Sequence, residues 1–297
     1  VAHCMAATRT TKTSTKRTTK GDSAPKPTMV LLVRHGRTPT TGSVLPGRAS
    51  GLHLADEGRA QAEAVAERIR SLHDKRTGSK DGVGVTAVYA SPMERTQETA
   101  APIAKALGLR TRTRKGLIEC DFGEWTGRKL ADLYKLPEWK TVQRHPSGFR
   151  FPKGESFGEM QARMVDAVNE LVAAHPGEIV VAVSHADTIK AAVASALGTP
   201  LDLFQRIVIG QCAVSAILYG AEGPTVLAVN HTDDSTTCRR RPACPLPPSC
   251  RSRSRPTGSS ATSAWPTTTT SIASSSSPKS WWPRTSPTAT RCGSSSA

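Results

Sequence analysis

Aromatic residues make up only 4% of the 297-residue chain, and no apolar run approaches the roughly 20 residues needed to span a bilayer. The amino-terminal stretch has no hydrophobic segment of the kind a secretory signal carries. Cysteine is equally sparse where it would matter. Only Cys120 and Cys212 fall in the middle of the chain, too far apart to suggest a disulfide framework. Cys4, Cys238, Cys244, Cys250 and Cys292 have neither the short paired spacings nor the histidine partner of a zinc finger. These absences point to a cytoplasmic protein with reduced thiols and no membrane partner. Acidic residues are nearly missing from both ends. Residues 1–28 carry six Lys/Arg against one acid, and 236–297 carry nine against none. The net charge of +16 therefore belongs to the tails; residues 29–235 hold 25 basic and 23 acidic side chains. A near-neutral middle argues against a nucleic-acid partner, which would call for a basic face on the folded part.

The composition divides the chain in three. Residues 1–28 are rich in Thr, Lys and Arg and lack periodicity, so they are expected to be a disordered basic extension. They show no amphipathic transit-peptide pattern, and Met29 is a candidate natural start. Residues 236–297 are mostly Ser, Thr, Pro and Arg and cannot bury enough surface to fold. They read as out-of-frame translation of a GC-rich gene or as a basic interaction tail. The single folded domain is expected over 29–235.

That middle alternates apolar runs with amphipathic stretches. Residues 29–33, 85–89 and 178–183 read as buried strands. Asp56 is a candidate N-cap for a helix carrying Ala60, Ala64, Val65, Ile69 and Leu72, with a polar loop over 73–84. Ser91 and Pro92 fit an N-cap and a first helical residue, for a helix running to about Leu107 and stopping at Gly108. A short strand is expected over 109–114, an irregular segment over 116–127 and a short helical stretch within 128–154. A long helix follows over 156–174, and another runs from beyond His185 to Leu197. Residues 207–209, 213–219 and 225–229 read as closing strands. Apolar strands alternating with helices predict an α/β fold, a three-layer α/β/α sandwich around a mostly parallel sheet.

The informative polar residues stand where these strands stop. The first strand ends in Arg34-His35-Gly36. The second leads to Arg95, one turn into its helix. The irregular segment carries Glu119, and the third strand ends at His185 before a helix N-terminus. In open α/β sheets ligands bind at the carboxyl ends of strands. Two Arg and two His on one edge suit a phosphoryl group, because guanidinium forks match phosphate oxygens. A helix N-terminus adds N–H groups and a favourable dipole. The long loop 37–53 offers Thr38 and Arg48 as further donors. A nucleophilic His must be neutral, and nearby guanidinium groups disfavour its protonation. Fixed cations also supply the electrostatic stabilisation that phosphoryl transfer chiefly needs. There is no evident carboxylate cluster for a metal, and no cofactor is expected.

Seven stretches occur in a recognisable order: LLVRHGRT (31–38), GRASG (47–51), LADEGRAQA (54–62), YASPMERTQETA (89–100), LIECDFGEWTG (117–127), FPKGESF (151–157) and VAVSHADTIKAAV (181–193). Together they resemble the histidine phosphatase superfamily, with its phosphoglycerate mutase-like fold, over about 29–235. The resemblance implies that His35 is the nucleophile and forms a phosphohistidine. It implies that Arg34, Arg95 and His185 hold the phosphoryl group, and that Glu119 protonates the leaving oxygen and then activates water. Thr38, Arg48, Ser50, Gly51 and the backbone of Ala186 are its implied further phosphate contacts.

The chain departs from the family pattern at Ala186, where Gly is common, and at Thr41, where Asn is common. The stretch from Thr41 to Arg48 is longer than in the mutases. The segment after Glu119 is shorter than their basic insert, and 139–157 is typical of the phosphatase branch. The expected activity is metal-independent hydrolysis of a small phosphorylated metabolite. Phosphoglycerate mutase-type transfer and non-catalytic phosphate binding are the alternatives. Glu119 is preferred to Asp121 as the acid by motif position, and Glu124 is expected to be a structural or surface carboxylate. His53, His73, His145, His175 and His231 are expected at the surface, and Cys120 as a partly buried, unreactive thiol.

Overall fold

The computed structural model describes residues 26–79 and 82–232. The expectations for 1–25 and 236–297 lie outside the described residues. Six strands form one sheet in the order β3-β2-β4-β1-β5-β6. They are β1 (Thr28–Arg34), β2 (Val85–Ala90), β3 (Thr111–Thr113), β4 (Ile179–Ser184), β5 (Val214–Gly220) and β6 (Gly223–His231). The first four in sheet order, β3, β2, β4 and β1, run parallel. β5 pairs antiparallel with β1, and β6 antiparallel with β5. The main helices are α1 (Asp56–Thr77), α2 (Glu94–Ala106), α3 (Leu130–Leu133), α4 (Glu138–Arg144), α5 (Phe157–Ala174) and α6 (Ala186–Ala196).

Strand alternation divides the core into two layers. From β1, Leu31 and Val33 pack with Val65 and Ile69 of α1 and Ile103 of α2. Val30 and Leu32 point the other way, to Met164, Val168 and Leu171 of α5 and Ile189 and Val193 of α6. In β2 the register slips between Val85 and Ala87, so Val85 and Val88 share one layer while Ala87 and Tyr89 share the other. The expected three-layer α/β/α sandwich is thus observed, with its sheet completed by an antiparallel β5–β6 edge.

The scarce aromatics are concentrated in a third cluster over the segment that follows Glu119. All five Phe of the chain lie there, with Trp125 beside them. Phe122, Phe149, Phe151, Phe157 and Phe204 form a chain of ring contacts with centroids 4.9–5.4 Å apart through Trp125 and one another.

Some element limits differ from expectation. Thr28 already belongs to β1 and is buried, its hydroxyl donating to the His175 carbonyl at 2.7 Å. Ala55, not Asp56, caps α1, and its N–H donates to the Arg37 carbonyl; Asp56 instead pairs with Arg59 in the first turn. α1 continues to Thr77, through half of the expected polar loop. α2 begins at Glu94, because Ser91 is drawn to His185. Residues 207–209 are not a strand: they follow a 3₁₀ turn over Leu201–Arg206, and the Ile209 carbonyl turns to Arg34. Among the described residues no helix is long and apolar enough to cross a membrane.

Candidate functional site

The sheet order creates a switch point. After β1 the chain moves by α1 to β2 on one side; after β4 it moves by α6 to β5 on the other. β1 and β4 are neighbours, so their carboxyl ends open a crevice between diverging connections. Two backbone hydrogen bonds carry the ladder one residue past the strands: His35 N–H to the Ser184 carbonyl and Ser91 N–H to the Val183 carbonyl, both 3.0 Å. Ser91, His185 and His35 are thereby set side by side.

His35 is 6% exposed, and its ring meets that of His185 edge-on at 5.3 Å between centroids. Its Nδ1 lies 2.8 Å from the Gly36 carbonyl, which can only accept, so Nδ1 carries the proton and Nε2 keeps a lone pair. Burial, Arg95 and Arg34 lower its pKa to about 3, so the ring is neutral at ordinary pH. The turn after it is held tightly. Gly36 N–H donates to Thr99 Oγ1, and a Cβ on Gly36 would sit 2.5 Å from the Gly58 carbonyl oxygen.

His185 is fully buried and precedes the first turn of α6. An Arg95 Nη2–H donates to its Nδ1 at 3.2 Å, which makes Nδ1 the acceptor. Nε2 then carries the proton and donates to Ser91 Oγ at 2.9 Å. Burial, followed by Arg95, holds its pKa well below the usual histidine range.

Arg95 is also fully buried. Its Nη2 additionally donates to the Gly47 carbonyl at 2.8 Å, which ties the 37–53 loop to α2. Arg34 Nη1 donates to the Ile209 carbonyl at 2.7 Å. Arg95 Nε and Nη1 and Arg34 Nε are buried and lack any hydrogen-bond partner. Burial lowers the pKa of both guanidinium groups.

Glu119 is 7% exposed. One carboxylate oxygen accepts from Cys120 N–H, and the other stands 3.8 Å from His185 Nδ1, too far for a hydrogen bond. Burial and the nearby Asp187 carboxylate push its pKa up to about 7, against the opposing pull of Arg95. Asp121 lies outside this group, bonded to Arg48 and to Gly123 N–H. Glu124 pairs with Lys153 at the surface. Cys120 is fully buried rather than partly so, and burial raises its thiol pKa, which leaves it unreactive.

Arg34, His35, Arg95, Glu119 and His185 are therefore brought together. The remaining expected contacts divide. Ala186 opens α6, where first-turn amides have no intrahelical acceptor. Thr38 is buried, its hydroxyl engaged with Thr40 and Thr41. Arg48 is spent elsewhere: its guanidinium bonds the Glu119 carbonyl, Asp121 and Glu155. It clamps the segment that carries Glu119 instead of facing an anion. Gly51 N–H is taken by Glu94, and Ser50 is exposed. His175 is buried, contrary to expectation, and His73 is half-buried with Nδ1 accepting from Val85 N–H; His53, His145 and His231 are exposed.

Sequence reasoning missed Ser91, Thr99 and Asp187. All three lie inside the quoted motifs, but nothing in their spacing shows which ring, amide or carboxylate each will meet. Among the described residues no group of three or more His, Cys, Asp or Glu side chains is arranged to hold a metal ion.

Comparison with known proteins places the chain in a family. The chain is 38% identical over 165 residues to the uncharacterized protein Rv0525 of Mycobacterium tuberculosis, a match covering 54% of this chain and 74% of that one. It is 32% identical over 192 residues to a probable phosphoglycerate mutase GpmB of Yersinia enterocolitica, covering 64% and 84% respectively. Among solved structures it is similar to a mycobacterial glucosyl-3-phosphoglycerate phosphatase in complex with VO3. The TM-score there is 0.60 at 25% identity, over 69% of this chain and 99% of that one. The family model of the histidine phosphatase superfamily (branch 1) matches residues 30–232, a span that holds all five clustered residues, and the chain belongs to that superfamily.

Proposed function

We propose that the protein is a phosphomonoesterase that works through a phosphohistidine at His35. The observation that carries this is the set of buried, unpartnered donors on Arg95 and Arg34 beside a neutral imidazole. Buried polar groups almost always find partners, and three guanidinium nitrogens left over in one crevice call for an anion with several oxygens. A phosphoryl group supplies them. The same cations then meet the charge that spreads over its equatorial oxygens during transfer, so the chemistry needs no metal.

The steps follow from the protonation states. His35 Nε2 attacks phosphorus while Nδ1–H stays on the Gly36 carbonyl. The ester oxygen leaves with a proton from Glu119, whose raised pKa keeps it protonated below about pH 7. The carboxylate so formed takes a proton from water, which attacks the phosphohistidine and frees His35. Return of the phosphoryl group to a second hydroxyl, the mutase outcome, uses the same first step. Hydrolysis is favoured because the two cations bonded to the Glu119 segment are already paired, Arg48 with Asp121 and Glu155 and Arg163 with Glu155, and so are not open to a second acidic group on the substrate.

Rapid quenching with an excess of an alkyl phosphate tests the reading. The wild-type protein is expected to carry acid-labile, base-stable phosphate and the His35→Ala variant none, with release of inorganic phosphate in the first case only. Undiminished turnover by His35→Ala would falsify the mechanism.

A further inference from the structure

Beside the phosphoryl site lies a pocket of about 260 Å³. Asp187 lines it, two residues past His185, and is the carboxylate that raises the pKa of Glu119. Phe122 lines it three residues past Glu119. The Phe122 ring also lies against Gly47, whose carbonyl holds Arg95; a Cβ on Gly47 would come within 3.1 Å of it. The pocket therefore shares walls with the cradle. Those walls are chiefly apolar: Phe122, Phe151, Phe157 and Trp139, with Leu45 and Leu130. One cation, Lys190, is present, and its Nζ donates to Asp187 at 3.0 Å and to Gln205 at 3.1 Å. Its charge is offset within the pocket.

We infer that this pocket receives the alcohol portion of the phosphomonoester and selects a bulky apolar alcohol bearing an aromatic ring over a small charged one. The inference rests on the phosphatase reading above and adds a substrate class to it. Apolar surface leaving water is favoured in proportion to its area, and ring walls accept a ring edge-on or by offset stacking. A second anionic group would meet a lysine already paired with Asp187, with the Glu119 carboxyl next to it. An apolar cavity of about 150 Å³ holds benzene, so the present volume has room for a ring and its linker.

Phosphonates carry the same charged head without a scissile ester oxygen, so their binding probes the pocket independently of turnover. Calorimetry on the full chain is expected to show 2-naphthylmethylphosphonate binding roughly 10–100-fold more tightly than methylphosphonate. Trp139→Ala should reduce that ratio severalfold. Gln143→Trp, at an exposed position on the pocket rim, should reduce it by filling the mouth. The affinity for methylphosphonate reports whether each variant is folded. In turnover, 2-naphthylmethyl phosphate should exceed 3-phosphoglycerate in kcat/KM. Equal affinities for the two phosphonates, or a ratio that neither variant moves, overturn the pocket assignment whether or not any ester is hydrolysed. Selective binding of the naphthyl phosphonate without turnover of either ester leaves the pocket standing and removes the phosphatase reading instead.

Discussion

Two buried histidine environments flank β4, and they differ in one respect. His175, just before the strand, has every polar group engaged. Its Nδ1 meets Glu178 at 2.7 Å, its Nε2 meets the Tyr89 hydroxyl at 2.9 Å, and its carbonyl accepts from Thr28. His185, just after the strand, sits beside His35 among guanidinium groups with three nitrogens unmatched. Similar burial thus serves two ends. A closed network holds α5 to the sheet, and an open one leaves hydrogen-bonding capacity for something outside the chain. The difference teaches that burial of a titratable group marks a site only when its neighbours' partners are incomplete.

The largest separation of the two networks should come from Arg95→Met. It is expected to lower turnover on the order of 10³-fold by removing the orphaned donors. Inorganic phosphate at 100 times its Kd should stabilise the wild type by about 2.7 kcal/mol and this variant scarcely at all, read as a shift in Tm. His175→Ala should do the reverse. It should cost roughly 1–3 kcal/mol of stability by removing the ring's hydrogen bonds to Tyr89 and Glu178, which keep only Arg112 and Thr86 as side-chain partners, while the phosphate-induced shift and kcat stay near wild type. A His175 variant that loses the phosphate response would erase the distinction.

Glu119→Gln should slow the first step by about 10²-fold or more for alkyl esters. The effect should be much smaller for nitrophenyl phosphate, whose leaving group needs little protonation. Burst kinetics isolates that step, and Asp121→Asn serves as the control without leaving-group dependence. In the wild type the alkyl rate should fall as pH rises through about 7. Stability should show two opposing slopes. The raised pKa of Glu119 contributes stability present below about 4.5 and lost as pH rises toward 7, because the folded state holds the extra proton. The depressed pKa of His35 contributes stability present above about 6.5 and lost as pH falls toward 3. Denaturation of Glu119→Gln across this range should therefore keep the acid-side loss, from the histidines and from salt-bridged carboxylates such as Glu155 and Glu159, but lack the loss on the way to pH 7, and the variant should exceed the wild type above pH 7. Parallel profiles for the two proteins would remove the shifted carboxyl.

The smallest effect concerns Ser91. Ser91→Ala should lower turnover by about tenfold and shift the His185 ring ¹⁵N resonances as Nε2–H loses its acceptor. Ser91→Thr should restore both. Unchanged resonances in the alanine variant would show that Ser91 does not set the tautomer.

The buried parallel strands β1, β2 and β4 and the helices after them were legible because their apolar patterns are strong and stops such as Gly108 are in place. Limits were missed where a tertiary partner outbid a local one. Ser91 left its helix for His185, and residues 207–209 gave up a strand when Ile209 turned to Arg34. Arg48 was read as an anion donor because a loop arginine looks the same whether it faces phosphate or carboxylate.

The order of motifs along the chain settled the family, the α/β alternation and the identity of five polar residues at strand ends and on the segment that joins them. Those are local or linear properties, carried by apolar periodicity and by residue type at the points where strands stop. Only the folded chain decided which donors remain unpaired, which nitrogen of His35 is free, and why Glu119 rather than Asp121 stands beside His185. It also gathered the five Phe with Trp125 and Trp139 into one cluster beside the crevice. These are properties of burial and of distance across 50 to 150 residues of sequence, and no spacing rule along a chain encodes them.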